Sequence, residues 1–201
     1  MISETNCLVS SGLPNTVVDV IGYHGPHILL IMTVSQIWKQ TPYLWAFLGG
    51  FFVNKTANEW LKYRIKQPRP HTISLPEAQN RDLVFRLRCY LGLADPDKIY
   101  VSPAHVYGMP SGHAQAAGYA TGFLYLTKSK LLSTLPATSP LVAVFFAELF
   151  VCAVTMYQRW ESRAHTVAQI TIGLALGGGI AWIVHTVTHR WLEVLPGKNI
   201  A

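Results

Sequence analysis

Five stretches of apolar residues alternate with short polar segments along the chain. They cover residues 17–38, 43–61, 111–126, 139–157 and 166–187. Each is about as long as a helix that crosses a hydrocarbon core of about 30 Å. The pattern therefore predicts an all-α fold, a polytopic transmembrane helical bundle of about five spans. No linker or repeat divides the sequence, so we expect residues 1–201 to form a single membrane-embedded domain.

The first apolar stretch is the least regular. Asp19 and the run His24-Gly25-Pro26-His27 interrupt it, and a proline inside a helix removes a hydrogen bond and bends the axis. We therefore expect its outer half to be kinked or to lie in the membrane interface. No Lys or Arg precedes Lys39, so the charged region of a signal peptide is missing and the stretch is expected to remain in the mature protein.

Composition agrees with a membrane protein and narrows the partners. Half of the 201 residues are apolar and only 13% are charged, whereas an average soluble domain has about 25% charged residues. The net charge is +6, but the cations are dispersed among apolar residues, so we predict an anionic lipid rather than a nucleic acid as partner. Cys7, Cys89 and Cys152 lack CxxC spacing and indicate neither a disulfide framework nor a zinc site.

Positive charges and histidines occur where the apolar stretches begin and end. Lys62 and Arg69 follow the second stretch. Arg69 stands between Pro68 and Pro70, and prolines end a helix. The run Pro110-Ser111-Gly112-His113 opens the third stretch, and a helix N-terminus binds phosphate readily. Arg159 closes the fourth stretch and His165 opens the fifth. Counting the crossings places all of these residues on one face of the membrane, where they make a phosphate site.

These residues carry a resemblance to a known family. Lys62-x6-Arg69-Pro70, Pro110-Ser111-Gly112-His113 and Arg159-x5-His165 resemble the three-part signature of the type 2 phosphatidic acid phosphatase and haloperoxidase superfamily. The resemblance covers residues 47–187, and within the superfamily it is most like the dolichyl-diphosphate phosphatases. The shared features are Leu48-Gly49-Gly50, Asn54, Asn58, the Tyr-Gly-Met-Pro run at 107–110, and Gln169.

The resemblance implies a role for each residue of the signature. His165 is expected to attack phosphorus and His113 to protonate the departing oxygen, through a phosphohistidine that water then hydrolyses. The groups expected to hold the phosphate are Lys62, Arg69, Arg159 and the backbone N–H groups around Ser111 and Gly112. No metal and no other cofactor is expected, because the cations take over the stabilisation of negative charge.

Gln169 departs from the wider superfamily, most members of which have an aspartate four residues after the nucleophile. That spacing allows the side chain to reach the His165 ring. Glutamine can accept the ring N–H but brings no charge, so we expect a less basic nucleophile than aspartate would give. A lipid monophosphate, whose second pKa is about 6, is a better leaving group than an alkoxide. Gln169 therefore favours diphosphate over monoester substrates.

Polar residues elsewhere in the apolar stretches have two open interpretations. Asn54, Asn58 and Lys62 recur every fourth residue, so the two asparagines either support the site from beneath or form hydrogen bonds between helices. His185 and His189 have the i,i+4 spacing of metal ligands, but without a third ligand we interpret them as helix-end or interfacial residues.

The segment 71–109 is longer than in the dolichyl-diphosphate phosphatases. Residues 81–93 mix apolar and basic side chains as an interfacial amphipathic helix does. This segment either caps the site and selects the lipid, or is a connection bound to the membrane surface. The basic residues Lys39, Lys128, Lys130, Arg190 and Lys198 fall opposite the signature face. By the positive-inside rule the signature face is then lumenal or extracytoplasmic, in agreement with what the resemblance implies. In a eukaryotic cell this means the endoplasmic reticulum.

Three functions fit the sequence. The leading one is hydrolysis of a polyprenyl (dolichyl) diphosphate to the monophosphate and phosphate, which recycles a lipid carrier for protein glycosylation. The second is a broader lipid phosphate phosphatase acting on monoesters such as phosphatidic acid. The third is a non-catalytic lipid-binding relative that keeps the phosphate cradle. The sequence does not indicate an oligomeric state.

Overall fold

The structure is a computed structural model and describes residues 17–70 and 106–194. In these ranges the backbone forms five helices and no β-strand. They are α1 (Val17–Ile37), α2 (Thr41–Ile65), α3 (Gly112–Thr134), α4 (Pro140–Glu161) and α5 (Val167–Val194). The prediction of an all-α fold is confirmed, with boundaries within four residues of the apolar stretches except at the ends of α3 and α5, which extend eight and seven residues further. The amphipathic helix expected at 81–93 lies outside the described residues.

Three of the helices, α1, α4 and α5, are long and apolar enough to cross a membrane. Their apolar side chains are mostly on the outside: only 17% of the most apolar window of α4 is buried. A soluble protein rarely exposes so continuous an apolar surface, so we assign this surface to lipid. The helices α2 and α3, of 25 and 23 residues, are less apolar because they carry the polar side chains of the predicted site.

Helix α1 is the stretch whose outer half we expected to be kinked or interfacial, and this expectation stays a prediction. It is one helix of 21 residues that passes through Pro26. Its glycines explain why it stays against the bundle: a Cβ added at Gly22 would overlap Gln158 of α4, and one at Gly25 would overlap Thr155. Close packing along this glycine face therefore holds the part of α1 around Pro26 against α4.

The closest helix pair is α3 with α5. A Cβ added at Gly118 of α3 would overlap the carbonyl of Leu174, and one added at Gly177 of α5 would overlap the carbonyl of Gln115. Only glycine permits so close an approach of two backbones. This packing brings the beginnings of the two helices together, and the Ser111 N–H donates to the carbonyl of Gln169 across 3.0 Å.

An aromatic core fills the end of the bundle away from this junction. Phe47 and Tyr119 stack with ring centroids 5.3 Å apart, and Phe123 packs against both. The Tyr119 hydroxyl donates to the Phe47 carbonyl across 2.9 Å, which satisfies a polar group that is otherwise expensive to bury. This core joins α2 to α3 and so fixes the height of the polar residues of α2 relative to the start of α3.

Candidate active site at one end of the bundle

The structure brings the three signature segments together at one end of the bundle. Residues 66–70 follow α2 and approach the segment before α3, where Pro68 pairs with Tyr107 and the Gly108 N–H donates to the Gln67 carbonyl across 2.8 Å. The Gly108 carbonyl lies 3.0 Å from Nδ1 of His165, between α4 and α5. One chain of contacts thus links all three segments, as the counting of crossings predicted.

His165 lies in the turn before α5, and its hydrogen bonds fix its tautomer. Nδ1 is 3.0 Å from the Gly108 carbonyl and 3.3 Å from Oε1 of Gln169. A backbone carbonyl only accepts, so Nδ1 carries the proton and Nε2 has the free electron pair. His165 is 2% exposed, and the ring is therefore held by the protein rather than by water.

Gln169 contacts His165 as its spacing predicted, and it also caps α5 and contacts Pro68. Its N–H donates to Oγ1 of Thr166 across 3.2 Å, and its Oε1 accepts from the Thr166 N–H at 3.1 Å. This is a capping box at the start of α5. Its Nε2 donates to the Pro68 carbonyl across 3.0 Å, which determines which end of the amide faces His165. Gln169 therefore links the nucleophile position to the segment that carries Arg69.

Three cations surround His165. Burial lowers the pKa of His165 to about 3, and the positive charges of Arg69, Lys62 and Arg159 act in the same direction, against the Gln169 hydrogen bond. The imidazole is therefore neutral at physiological pH. Lys62 and Arg159 are 3% and 8% exposed. Like charges so deeply placed repel one another, and a multiply charged anion between them relieves that repulsion.

Lys62 lies in the last turn of α2 rather than after it, because α2 continues to Ile65. The predicted end of the second span at 61 was therefore too early. The C-cap is Lys66, in the left-handed conformation with φ 53°, and its N–H donates to the Lys62 carbonyl. The regular helix up to that point aims the Lys62 side chain into the bundle, whereas a residue after the helix would be less constrained.

Ser111 is the N-cap of α3, and its Oγ accepts from the Ala114 N–H at 3.5 Å. Pro110 and Ser111 therefore precede the helix instead of forming its first turn. The Ser111 N–H already donates to Gln169, so it is not available to a phosphate as the resemblance implied. The N–H groups of Gly112 and His113 begin the helix, where no helical acceptor exists.

Asn54 and Asn58 of α2 form one buried network with Gln115 of α3. Asn58 Nδ2 donates to Gln115 Oε1 across 2.8 Å and to the Pro110 carbonyl across 3.3 Å. Gln115 Nε2 donates to the carbonyl and to Oδ1 of Asn54, at 2.9 and 3.0 Å. Both asparagines therefore join two helices, and Asn58 also supports the segment that opens α3.

Sequence reasoning missed several of these residues. Gln115 is fully buried and could have been found as a glutamine two positions after His113 inside an apolar stretch. The Thr166-x-x-Gln169 pattern is a capping-box signal. Nothing in the sequence pattern indicated that the Gly108 carbonyl would orient His165.

His185 lies at the other end of the bundle from His165, stacked on Tyr43 with ring centroids 5.5 Å apart. His189 is next to it and pairs with Glu193 at 3.3 Å.

A cavity of about 270 Å³ lies beside His165. It is lined by Pro70, Trp160, Arg163, His165, Thr166 and Val167. Of the predicted site residues, His165 alone lines this cavity.

Comparison with known proteins agrees with this geometry. Lipid phosphate phosphatase gamma of Arabidopsis thaliana is 25% identical over 153 residues, which are 74% of this chain and 57% of that protein. The chain thus spans little more than half the length of this relative. No solved structure matches the chain. Residues 43–193, from α2 almost to the end of α5, match the PAP2 superfamily, and the chain belongs to this family.

Proposed function

We propose that this protein is a membrane-embedded phosphatase that removes a phosphate from a lipid phosphate, with lipid diphosphates as the preferred substrates. One observation carries the proposal: His165 presents a neutral Nε2 among the charges of Lys62, Arg69 and Arg159. A buried neutral imidazole is a nucleophile, and a cluster of cations is what phosphoryl transfer requires. Membership of the PAP2 superfamily and the name of the Arabidopsis relative support the same activity.

The reaction proceeds in two steps. Nε2 of His165 forms a bond to phosphorus, the bond from phosphorus to the leaving oxygen breaks, and His113 delivers a proton to that oxygen. Water then attacks phosphorus, the phosphorus–nitrogen bond breaks, and His113 takes a proton from the water. Lys62, Arg69 and Arg159 stabilise the charge on the transferring phosphoryl group in both steps. The chain's own residues supply every role, and no cofactor enters the scheme.

The preference for diphosphates rests on Gln169. As His165 attacks, positive charge develops on the ring, and the Nδ1–H is held by two neutral acceptors, the Gly108 carbonyl and Gln169. A neutral acceptor stabilises this charge less than a carboxylate does. The resulting weaker nucleophile suits the better leaving group, a lipid monophosphate. A dolichyl or other polyprenyl diphosphate is the substrate that the sequence resemblance favours.

A second candidate is a broader lipid phosphate phosphatase that also accepts monoesters. The name of the Arabidopsis relative favours it. The two candidates share the site and differ in leaving group, so the relative rates on a diphosphate and a monoester separate them.

We further propose that the site faces the lumen of the endoplasmic reticulum. The short connections at 38–40 and 135–139 lie at the end of the bundle opposite the site, and Lys39, Lys128 and Lys130 are at or near them. Short basic loops remain in the cytosol. The test is a cysteine introduced at Trp160, on the site end, in a variant without Cys7, Cys89 and Cys152. In sealed microsomes a membrane-impermeant reagent should not reach it, and labelling before the membrane is opened would contradict this orientation.

The activity is tested by phosphate release from membranes that contain the protein, with dolichyl diphosphate and phosphatidic acid as substrates and excess EDTA present. We expect release from the diphosphate that His165→Ala abolishes and that His189→Ala, at the far end of α5, retains. Release from neither lipid by folded protein would favour the non-catalytic relative. Faster release from phosphatidic acid would favour the broader phosphatase.

A further inference from the structure

Helix α1 lies before the residues that match the family, yet it borders the site. Nε2 of His113 is 3.2 Å from the backbone carbonyl of Tyr23, and the two rings have centroids 6.1 Å apart. The Tyr23 ring also lies 5.7 Å from the Arg159 guanidinium. One turn of α1 therefore contacts both the expected general acid and one of the phosphate-binding cations.

The contact with Tyr23 assigns the two nitrogens of His113. A carbonyl oxygen only accepts a hydrogen bond, so Nε2 carries a proton in both the neutral and the charged ring. The proton that His113 exchanges with the substrate is then the one on Nδ1.

Contacts with α4 hold α1 in the position where the Tyr23 carbonyl meets His113. Near the site, Gln158 Nε2 donates to Oδ1 of Asp19 across 3.4 Å, and Gln158 Oε1 accepts from Nε of Arg159 at 2.7 Å. Deeper in the membrane, the Thr33 hydroxyl donates to Oε1 of Glu148 across 3.1 Å. Between these two links, Gly22 and Gly25 lie directly on α4. Any side chain at these glycines would push the Tyr23 carbonyl away from His113.

We infer that α1 is a positioning element of the active site: the Tyr23 carbonyl, held in place by the glycine contact with α4, orients His113 so that Nδ1 acts as the general acid and base. This inference rests on the proposed phosphatase function. It adds to the site a helix that the three-part signature does not include.

The leaving group gives a readout that a general loss of structure would not produce. An alkoxide leaving from a lipid monophosphate needs the proton from His113, whereas a monophosphate leaving from a diphosphate, with a second pKa of about 6, needs it far less. Misplacing His113 should therefore lower kcat/KM, which reports the first step, more for the monophosphate than for the diphosphate. The second step, in which His113 takes a proton from water, is the same for both substrates. Citronellyl monophosphate and citronellyl diphosphate provide this pair with one lipid chain.

Gly25→Ala is the variant that tests the inference, because its Cβ would overlap Thr155. General acid catalysis contributes about 10²–10⁴-fold, and partial misplacement should remove about tenfold or more of it from the monophosphate reaction. We expect a loss at least about fivefold smaller with the diphosphate. Gly49→Ala is the matched control, since a Cβ at Gly49 meets nothing within 4 Å.

Rescue and spectroscopy complete the test. Gly25→Ala combined with Thr155→Ala removes the overlapping atoms and should restore the monophosphate rate to within a few-fold of the Thr155→Ala rate. In the unaltered protein, ¹⁵N NMR should show Nε2 of His113 protonated whether the ring is neutral or charged. Equal losses on both substrates, or an Nδ1–H tautomer, would overturn the inference while leaving the phosphatase activity standing. An unaltered protein that hydrolyses neither compound would overturn the proposed function and the inference with it.

Discussion

Replacing Gln169 by aspartate tests why this chain departs from most of its superfamily. The substitution gives the Nδ1–H of His165 a charged acceptor in place of the amide oxygen, now at 3.3 Å. It also shortens the side chain, which removes the donation from Nε2 to the Pro68 carbonyl at 3.0 Å. The first change affects the nucleophile and the second affects the stability of the site.

The size of the effect follows from hydrogen-bond strengths. A hydrogen bond to a charged group contributes about 1.5–3 kcal/mol and one between neutral groups about 0.5–1.5 kcal/mol. The difference, about 1–2 kcal/mol, corresponds to about 5–30-fold in rate. This gain should appear mainly with the monoester, because attack with an alkoxide leaving group depends more on the nucleophile. The ratio of kcat/KM for diphosphate over monoester should therefore fall about tenfold in Gln169→Asp.

The matched control is Gln169→Asn, which has the same length as aspartate but no charge. It should lose stability, because the capping box with Thr166 and the link to Pro68 weaken, but it should keep the substrate ratio. The assay measures phosphate released from citronellyl diphosphate and citronellyl monophosphate by purified protein in detergent. An unchanged ratio in Gln169→Asp, or an equal shift in Gln169→Asn, would refute this role of the residue 169 side chain.

Three further predictions concern packing, the buried network and pH. Gly177→Ala should separate α3 from α5 and lower the unfolding temperature in detergent, whereas the neighbouring Gly178→Ala, whose Cβ meets nothing within 4 Å, should not; equal effects would contradict the packing argument. Gln115→Leu keeps the volume but leaves Asn54 and Asn58 without their buried partner, so it should cost about 1–3 kcal/mol of unfolding free energy, and an unchanged denaturation midpoint would count against the network. Because the pKa of His165 is lowered from 6.5 to about 3, its contribution to stability is present above pH 6.5 and is lost as the pH falls towards 3. The unfolding temperature should therefore fall between pH 7 and pH 5 less steeply in His165→Ala than in the unaltered protein, and identical slopes would disprove the assignment.

Much of the fold could be predicted because the membrane requires long apolar helices, and these are legible in the sequence. The errors have local causes. Lys62 was placed after α2 because charged residues usually end a span, but the helix continues to Ile65 since Lys62 faces the bundle interior. Pro26 indicated a kinked or interfacial outer half of α1; the helix continues through this proline, and Gly22 and Gly25 pack on α4 beside it.

The signature residues could be predicted as a group because three motifs with fixed spacing rarely meet on one membrane face by chance. Their orientation could not. Two backbone carbonyls determine it: that of Gly108 fixes the tautomer of His165, and that of Tyr23 contacts His113. Every residue has a backbone carbonyl, so residue identity does not reveal which ones make such contacts. Long-range contacts between helices decide where such carbonyls lie, and hydrophobic periodicity does not report them.

The most direct test of the proposed mechanism is to trap the covalent intermediate. The protein is mixed with a lipid diphosphate labelled with ³²P in its terminal phosphate, quenched in alkali within milliseconds, and its peptides are analysed by mass spectrometry. The mechanism predicts an alkali-stable, acid-labile phosphoryl group on Nε2 of His165 that is absent from His165→Ala. Turnover without any phosphorylated histidine, or a label on a different residue, would contradict the assignment of His165 as the nucleophile.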